Sequence, residues 1–133
     1  MSRLFLAVFF GLVFLAGCGR SSPAQEDEKK ASFTIITQEE AKKMMDSGQD
    51  VIIMDVRTQA EYDEGHIPGA LLLPNESIGT QEIEDLPDKE QTILVYCRSG
   101  NRSKQAAQKL AELGYTNIYE FSGIITWPYE IVK

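Results

Sequence analysis

Thr92-Ile93-Leu94-Val95-Tyr96-Cys97-Arg98-Ser99-Gly100-Asn101-Arg102-Ser103 is the most informative stretch of the chain. Five residues of apolar, β-favouring chain without alternation read as a strand buried on both faces of a sheet covered by helices. A cysteine follows at once, then a polar loop, then a helix expected over Arg102 to Leu113 with Ala106, Leu110 and Leu113 on one face, Lys104, Lys109 and Glu112 elsewhere, and Gly114 past its end. Strand, turn and helix in that order place Cys97 at the carboxyl end of a strand, where open parallel sheets hold their ligands.

The pattern repeats outward from this point. Val51 to Val56 is a second buried strand, with Asp55 and Arg57 at its carboxyl end. Thr37-Gln38-Glu39-Glu40 and Thr58-Gln59-Ala60-Glu61 each fit a capping box, opening helices that Gly48 and Gly65 close. Shorter strands are expected at Phe33 to Ile36, Leu71 to Leu73 and Ile118 to Phe121. Asn75 to Leu86 reads as loop with a short helix, and Ile124 to Ile131 as a terminal segment, partly helical before Pro128. Alternating strands and helices predict an α/β domain: a mostly parallel central sheet with helices on both faces.

The ends of the chain divide it into three parts. Arg3 followed by the 13 apolar or small residues Leu4 to Ala16 reads as an export signal over residues 1–17. As a helix that run spans about 20 Å, short of the ~30 Å hydrocarbon core of a bilayer. Leu15-Ala16-Gly17-Cys18 is similar to the lipobox of bacterial lipoproteins, which implies cleavage before Cys18, lipidation of its sulfur and a lipid-anchored place in the bacterial cell envelope, on the periplasmic or outer-surface side. Residues 18–31 then form a tether: Gly19 to Lys30 holds no apolar side chain larger than Ala or Pro and cannot order itself by burial. Residues 32–133 are left as one domain of about 100 residues, large enough for an apolar core without disulfide or metal staples.

Charge narrows the function further. The chain carries 13 basic against 20 acidic side chains, net −7. Nucleic-acid binding is not expected, because phosphate contacts need clustered Lys and Arg. Of five arginines, Arg98 and Arg102 fall within five residues of Cys97. A loop N–H nest ahead of a helix N-terminus stabilises an anion, and the first anion available is the cysteine's own thiolate. A helix end contributes only ~0.3–1 kcal/mol, so loop amides and a guanidinium must supply the larger part. Cys97 is therefore the candidate nucleophile, with Arg98, Ser99, Gly100, Asn101, Arg102 and Ser103 as the anion-holding loop. A buried, merely structural cysteine fits this electropositive setting poorly.

Four motifs in order and spacing carry a resemblance: Tyr96 to Ser103, Asp55-Val56-Arg57, Glu61 to Ala70 and Gly123 to Trp127. Together they resemble a single-domain rhodanese, or thiosulfate sulfurtransferase, from about Phe33 to the C-terminus. The resemblance implies the rhodanese α/β fold and a Cys97 that takes a sulfane sulfur from a small anionic donor such as thiosulfate. A persulfide then passes that sulfur to a thiol or cyanide, with no cofactor and no metal. Physically, Arg98 to Arg102 supply N–H groups, Arg98 contacts the donor, and Arg102 is the better candidate for fixing the loop. Asp55, Arg57, Glu61 and His66 form a supporting layer, with an Arg57–Glu61 pair one way of bracing the loop. The lone His66 sits in what the family uses as a connecting turn, and Trp127 and Tyr129 are expected to pack the end of the core. One departure is Ser122-Gly123, where relatives commonly have two glycines. The domain is expected to act as a monomer.

Two other readings compete. Certain cysteine phosphatases and arsenate reductases resemble this fold but place five residues between Cys and Arg, where only four separate Cys97 from Arg102. The second is a sulfur-binding or redox-sensing lipoprotein without fast turnover, since lipidation of Cys18 leaves Cys97 no disulfide partner.

Overall fold

The computed structural model describes residues Lys30–Lys133. The Leu4 to Ala16 run, Cys18 and nearly all of the tether lie outside the described residues.

Five strands form one sheet in the order β1-β5-β4-β2-β3, every neighbouring pair parallel. They are β1 (Thr34–Ile35), β2 (Val51–Asp55), β3 (Leu71–Leu72), β4 (Thr92–Cys97) and β5 (Asn117–Gly123). The helices are α1 (Gln38–Asp46), α2 (Gln59–Glu64) and α3 (Asn101–Glu112), with single 3₁₀ turns at Asn75–Ser77 and Ile124–Thr126. Both capping boxes form: the Thr37 and Thr58 side chains accept from the Glu40 and Glu61 amides, and each Glu returns a bond to its cap. The α/β class, the parallel sheet and the helices on both faces are as expected. The terminal segment forms one 3₁₀ turn before Pro128, as expected, and Val132 bridges back to His66.

Side-chain alternation along the strands sorts the core into two layers. Ile93, Val95 and Cys97 face α3, meeting Ala106, Ala107, Leu110 and Ala111 together with Met54 and Ile118. Leu94, Tyr96 and Phe121 face the other way, toward Ala41 of α1, Tyr62 of α2, Ile67 and Trp127. The small alanine face of α3 lets it lie close on the central strand. Burial of Leu110 alone, fully out of water, contributes on the order of 2 kcal/mol. Successive crossovers run to opposite sides of the sheet between β2 and β4, which places the loops after these strands at the topological switch point, where open parallel sheets hold their ligands.

Candidate active site

Cys97 is the last residue of β4 rather than the first of the loop, which fixes its side chain on the α3 face of the sheet. Its Sγ accepts a hydrogen bond from the Gly100 N–H at 3.0 Å and lies 3.3 Å from Ser103 Oγ. The residue is 1% exposed. An amide cradle spread over Arg98 to Arg102 was expected, and it narrows here to the Gly100 N–H and the Ser103 hydroxyl. The reason is conformational. Gly100 is left-handed at φ 107°, but Asn101 already opens α3 in helical geometry one residue earlier than expected, so the αR–αL alternation that turns successive amides inward does not continue.

The loop is pressed against the start of the last turn. Gly123 pairs with Cys97 across the sheet, and a Cβ built on it would stand 2.0 Å from Arg98 O and 2.5 Å from Ser99 N. Only glycine permits that approach. Ile125 N–H then bonds Arg98 O at 3.2 Å, tying loop to turn. Between Val95 and Cys97 the β4–β5 register slips by one residue, a bulge in which Ser122 takes φ 76°.

Arg102 does the bracing. Its two terminal nitrogens bond both carboxylate oxygens of Glu61, each at 2.8 Å, joining the loop after β4 to α2 after β2. The anticipated Arg57–Glu61 pair is thus corrected. Arg57 instead clasps Asp55 at 2.7 Å, with Nε 2.9 Å from the same carboxylate, and donates to Gly65 O at 2.7 Å. Residues two apart at a strand end turn toward each other more readily than Arg57 reaches along α2. Tyr96 OH donates to Asp55 at 2.7 Å and receives the Ile67 N–H. Burial, with the Asp55 charge added, pushes the Tyr96 phenol far up, so it remains a donor. Asp55 at 0% and Arg57 at 5% exposure brace the α1-side layer rather than line a pocket. Removing one member would strand a buried charge at a cost of ~3–5 kcal/mol.

The Arg102 bonds hold the Glu61 carboxyl down to about 2, against burial and with help from the Thr58 N–H and hydroxyl. A depressed carboxyl stabilises the fold above its unfolded value near 4.5 and loses that contribution as pH falls toward 2. Thermal melts should therefore show Glu61→Gln less stable than the parent at pH 6, the gap closing as pH falls from about 4.5 toward 2. A pH-independent gap would mean that the pair does not brace the loop through charge.

His66 takes no part at the sulfur. Its Nδ1 lies 2.8 Å from Tyr62 O, its ring stacks on Tyr62 at 3.7 Å, and its backbone bridges Val132. Trp127 is buried and packs on Phe121, as expected for the end of the core, whereas Tyr129, against its edge, is exposed. One residue at the site escaped the sequence reading. Glu120 is 1% exposed and its Oε1 receives the Ser103 hydroxyl at 2.6 Å and the Ser122 N–H at 2.8 Å. An acid inside the apolar run Ile118-Tyr119-Glu120-Phe121, two residues after an inward isoleucine, was the available signal.

The rhodanese-like domain family matches residues 37–126. This chain belongs to that family. It is 41% identical over 80 residues to the thiosulfate sulfurtransferase GlpE of Coxiella burnetii, covering 59% of this chain and 73% of that protein. It is 35% identical over 71 residues to the thiosulfate sulfurtransferase PspE of Escherichia coli, covering 53% and 68%. A solved structure described as a rhodanese with anions from E. coli superposes with a TM-score of 0.57 at 32% identity, covering 62% of this chain and 98% of that one. The rhodanese fold, and membership of a sulfurtransferase family, follow from sequence and architecture together. In this rhodanese domain the motif loop and the GIITW turn meet at Cys97, while the DVR strand end braces the layer on the opposite face of the sheet.

Proposed function

We propose that this rhodanese domain is a sulfurtransferase that moves a sulfane sulfur from thiosulfate, or a similar small anion, through a Cys97 persulfide. The Cys97 thiolate attacks the outer sulfur of the donor. The donor S–S bond breaks and its electron pair leaves with sulfite. An acceptor thiolate or cyanide then attacks the outer persulfide sulfur, and the second S–S cleavage returns the electron pair to Cys97. Thiolate is regenerated, so no oxidant or reductant is consumed and no cofactor is called for. The observation that carries this reading is the Gly100 N–H aimed at Sγ from 3.0 Å at the positive end of α3. Arg98, exposed beside the sulfur in the chain, attracts the anionic donor.

Arg102 argues against phosphatase or arsenate reductase chemistry. With both terminal nitrogens spent on Glu61, it has no free fork for a tetrahedral oxyanion, and the Cys–Arg spacing is one residue short. Assays side by side with thiosulfate plus cyanide and with an aryl phosphate test the assignment. Thiocyanate production without phosphate release supports it; the reverse overturns it.

One observation favours a second reading. Cys97 is 1% exposed, which suits a protein that holds a persulfide or mixed disulfide without fast turnover. Sustained turnover with a thiol acceptor would remove this reading, and a single stoichiometric transfer would establish it.

The reading also includes an anchor: export through residues 1–17, lipidation of Cys18 and display of a monomeric domain on the tether in the cell envelope. Two acyl chains hold firmly where one is marginal. Cell fractionation should find the full chain with membranes and Cys18→Ser in the soluble fraction with the domain active. A membrane-bound Cys18→Ser protein would contradict the anchor.

A further inference from the structure

Ser103 Oγ has one hydrogen and four neighbours within reach: Glu120 Oε1 at 2.6 Å, Gly100 O at 3.0 Å, and Cys97 Sγ and Ser122 O at 3.3 Å. The 2.6 Å separation is that of a charge-assisted O–H···O bond. Sulfur, hydroxyl and carboxyl therefore form one continuous chain beneath the loop. Glu120 is 1% exposed, and its second oxygen, Oε2, is buried with no hydrogen-bond partner. A carboxylate in that position leaves half its charge unsolvated, whereas a carboxylic acid does not.

The chain can be satisfied in two ways. With the charge on Glu120, Ser103 donates to Oε1 and the Cys97 S–H donates to Ser103. With the proton on Glu120, its O–H donates to Ser103, and the Ser103 O–H turns to the sulfur, which also holds the Gly100 N–H. The second arrangement moves the negative charge from the orphaned carboxylate to the atom that the loop is built to solvate. The other charged groups near the chain favour it as well. Arg102 from α3 lies within electrostatic reach of Cys97, and its charge is sustained first by its bond to Glu61 of α2 and further by the sulfur and by Glu76. β5 contributes Glu120 and the uncharged Ser122, while Asp55 is bound by Arg57 and by the Tyr96 hydroxyl in the layer on the opposite side of the sheet.

We propose that Glu120 is the internal proton acceptor for Cys97, acting through the Ser103 hydroxyl, and thus a positioning residue for the sulfur chemistry. The Cys97 S–H bond breaks as Ser103 takes that proton, and Ser103 passes its own to Oε1. Net charge is unchanged. The role in turnover rests on the sulfurtransferase reading, but the test does not.

The full chain is alkylated with iodoacetamide between about pH 5 and pH 9, and the rate is read by mass spectrometry on the peptide bearing Cys97. The thiolate is the reacting form. The parent rate should be nearly flat from about pH 6 to pH 8, and Glu120→Gln should be roughly tenfold or more slower at about pH 6, converging with the parent near pH 9. Gln keeps the shape and can accept both the Ser103 and Ser122 bonds, so a purely structural Glu120 would leave this profile unmoved. A Glu120→Gln rate equal to or above the parent across the range overturns the proposal. Ser103→Ala cuts the same chain with the carboxyl retained: a matching loss supports the proposal, an unchanged profile overturns it, and this variant decides alone where Glu120→Gln does not fold. Should the parent fail to move sulfur yet show the flat profile and both losses, the proton chain stands and the sulfurtransferase reading falls.

Discussion

Cys97→Ser should abolish sulfur transfer and leave the fold standing. A serine oxygen in the same place can accept the Gly100 N–H and meet Ser103, so the packing beneath α3 changes by one slightly smaller atom. The stability change should fall within about 1–2 kcal/mol, the range for one altered buried hydrogen bond. The chemistry has no such tolerance. A hydroxyl at neutral pH is a weak nucleophile without an adjacent base, and His66, the only histidine, is committed to Tyr62 and Val132. Loss of about three orders of magnitude or more in kcat/KM, roughly 4 kcal/mol of transition-state stabilisation, is expected. Far-UV circular dichroism and a thiosulfate-to-cyanide assay on the same preparation check both halves. Retained activity would move the sulfur-carrying role elsewhere.

Gly123→Ala should damage the site without touching the sulfur. The added methyl would lie 2.0 Å from Arg98 O and 2.3 Å from Arg98 C, where contacts under 3.0 Å essentially never occur. Both groups are backbone, so relief requires the loop to shift by about 1 Å. That displacement loosens the Ile125–Arg98 bond and moves the Gly100 N–H away from Sγ. Overpacking of this kind costs about 1–3 kcal/mol, and a 1 Å misplacement at a reacting centre about 100-fold in rate. Gly79→Ala is the control: a Cβ there meets nothing within 4 Å, and the change should lie within ~0.5 kcal/mol. Denaturant melts and kcat/KM on both variants read the difference. Equal behaviour of the two would show that the close approach does not shape the loop.

Much of this was legible because local signals agreed with the global fold. The Thr37 and Thr58 capping boxes set two helix starts through bonds four residues long, and the apolar runs at Val51 and Thr92 needed no tertiary information to be read as buried strands. Cys97, the loop and the bracing role of Arg102 followed from position at a strand end. What failed to show were partnerships across sequence distance. Glu61 meets Arg102 41 residues away, and nothing in either local pattern says that Arg57 will prefer Asp55. Glu120 stayed hidden because its partner Ser103 lies 17 residues earlier on another element. The narrowing of the amide cradle to Gly100 depends on where α3 begins, and helix ends are the least certain feature of any sequence reading.

In the proposed cycle Cys97 carries the sulfur. Intact-protein mass spectrometry after brief exposure to thiosulfate, followed by fragmentation, measures it directly. One added sulfur atom, located on Cys97 and removed by cyanide or a thiol, is the predicted result. A mass unchanged after thiosulfate, or an added sulfur located on any residue other than Cys97, would show that Cys97 is not the sulfur carrier.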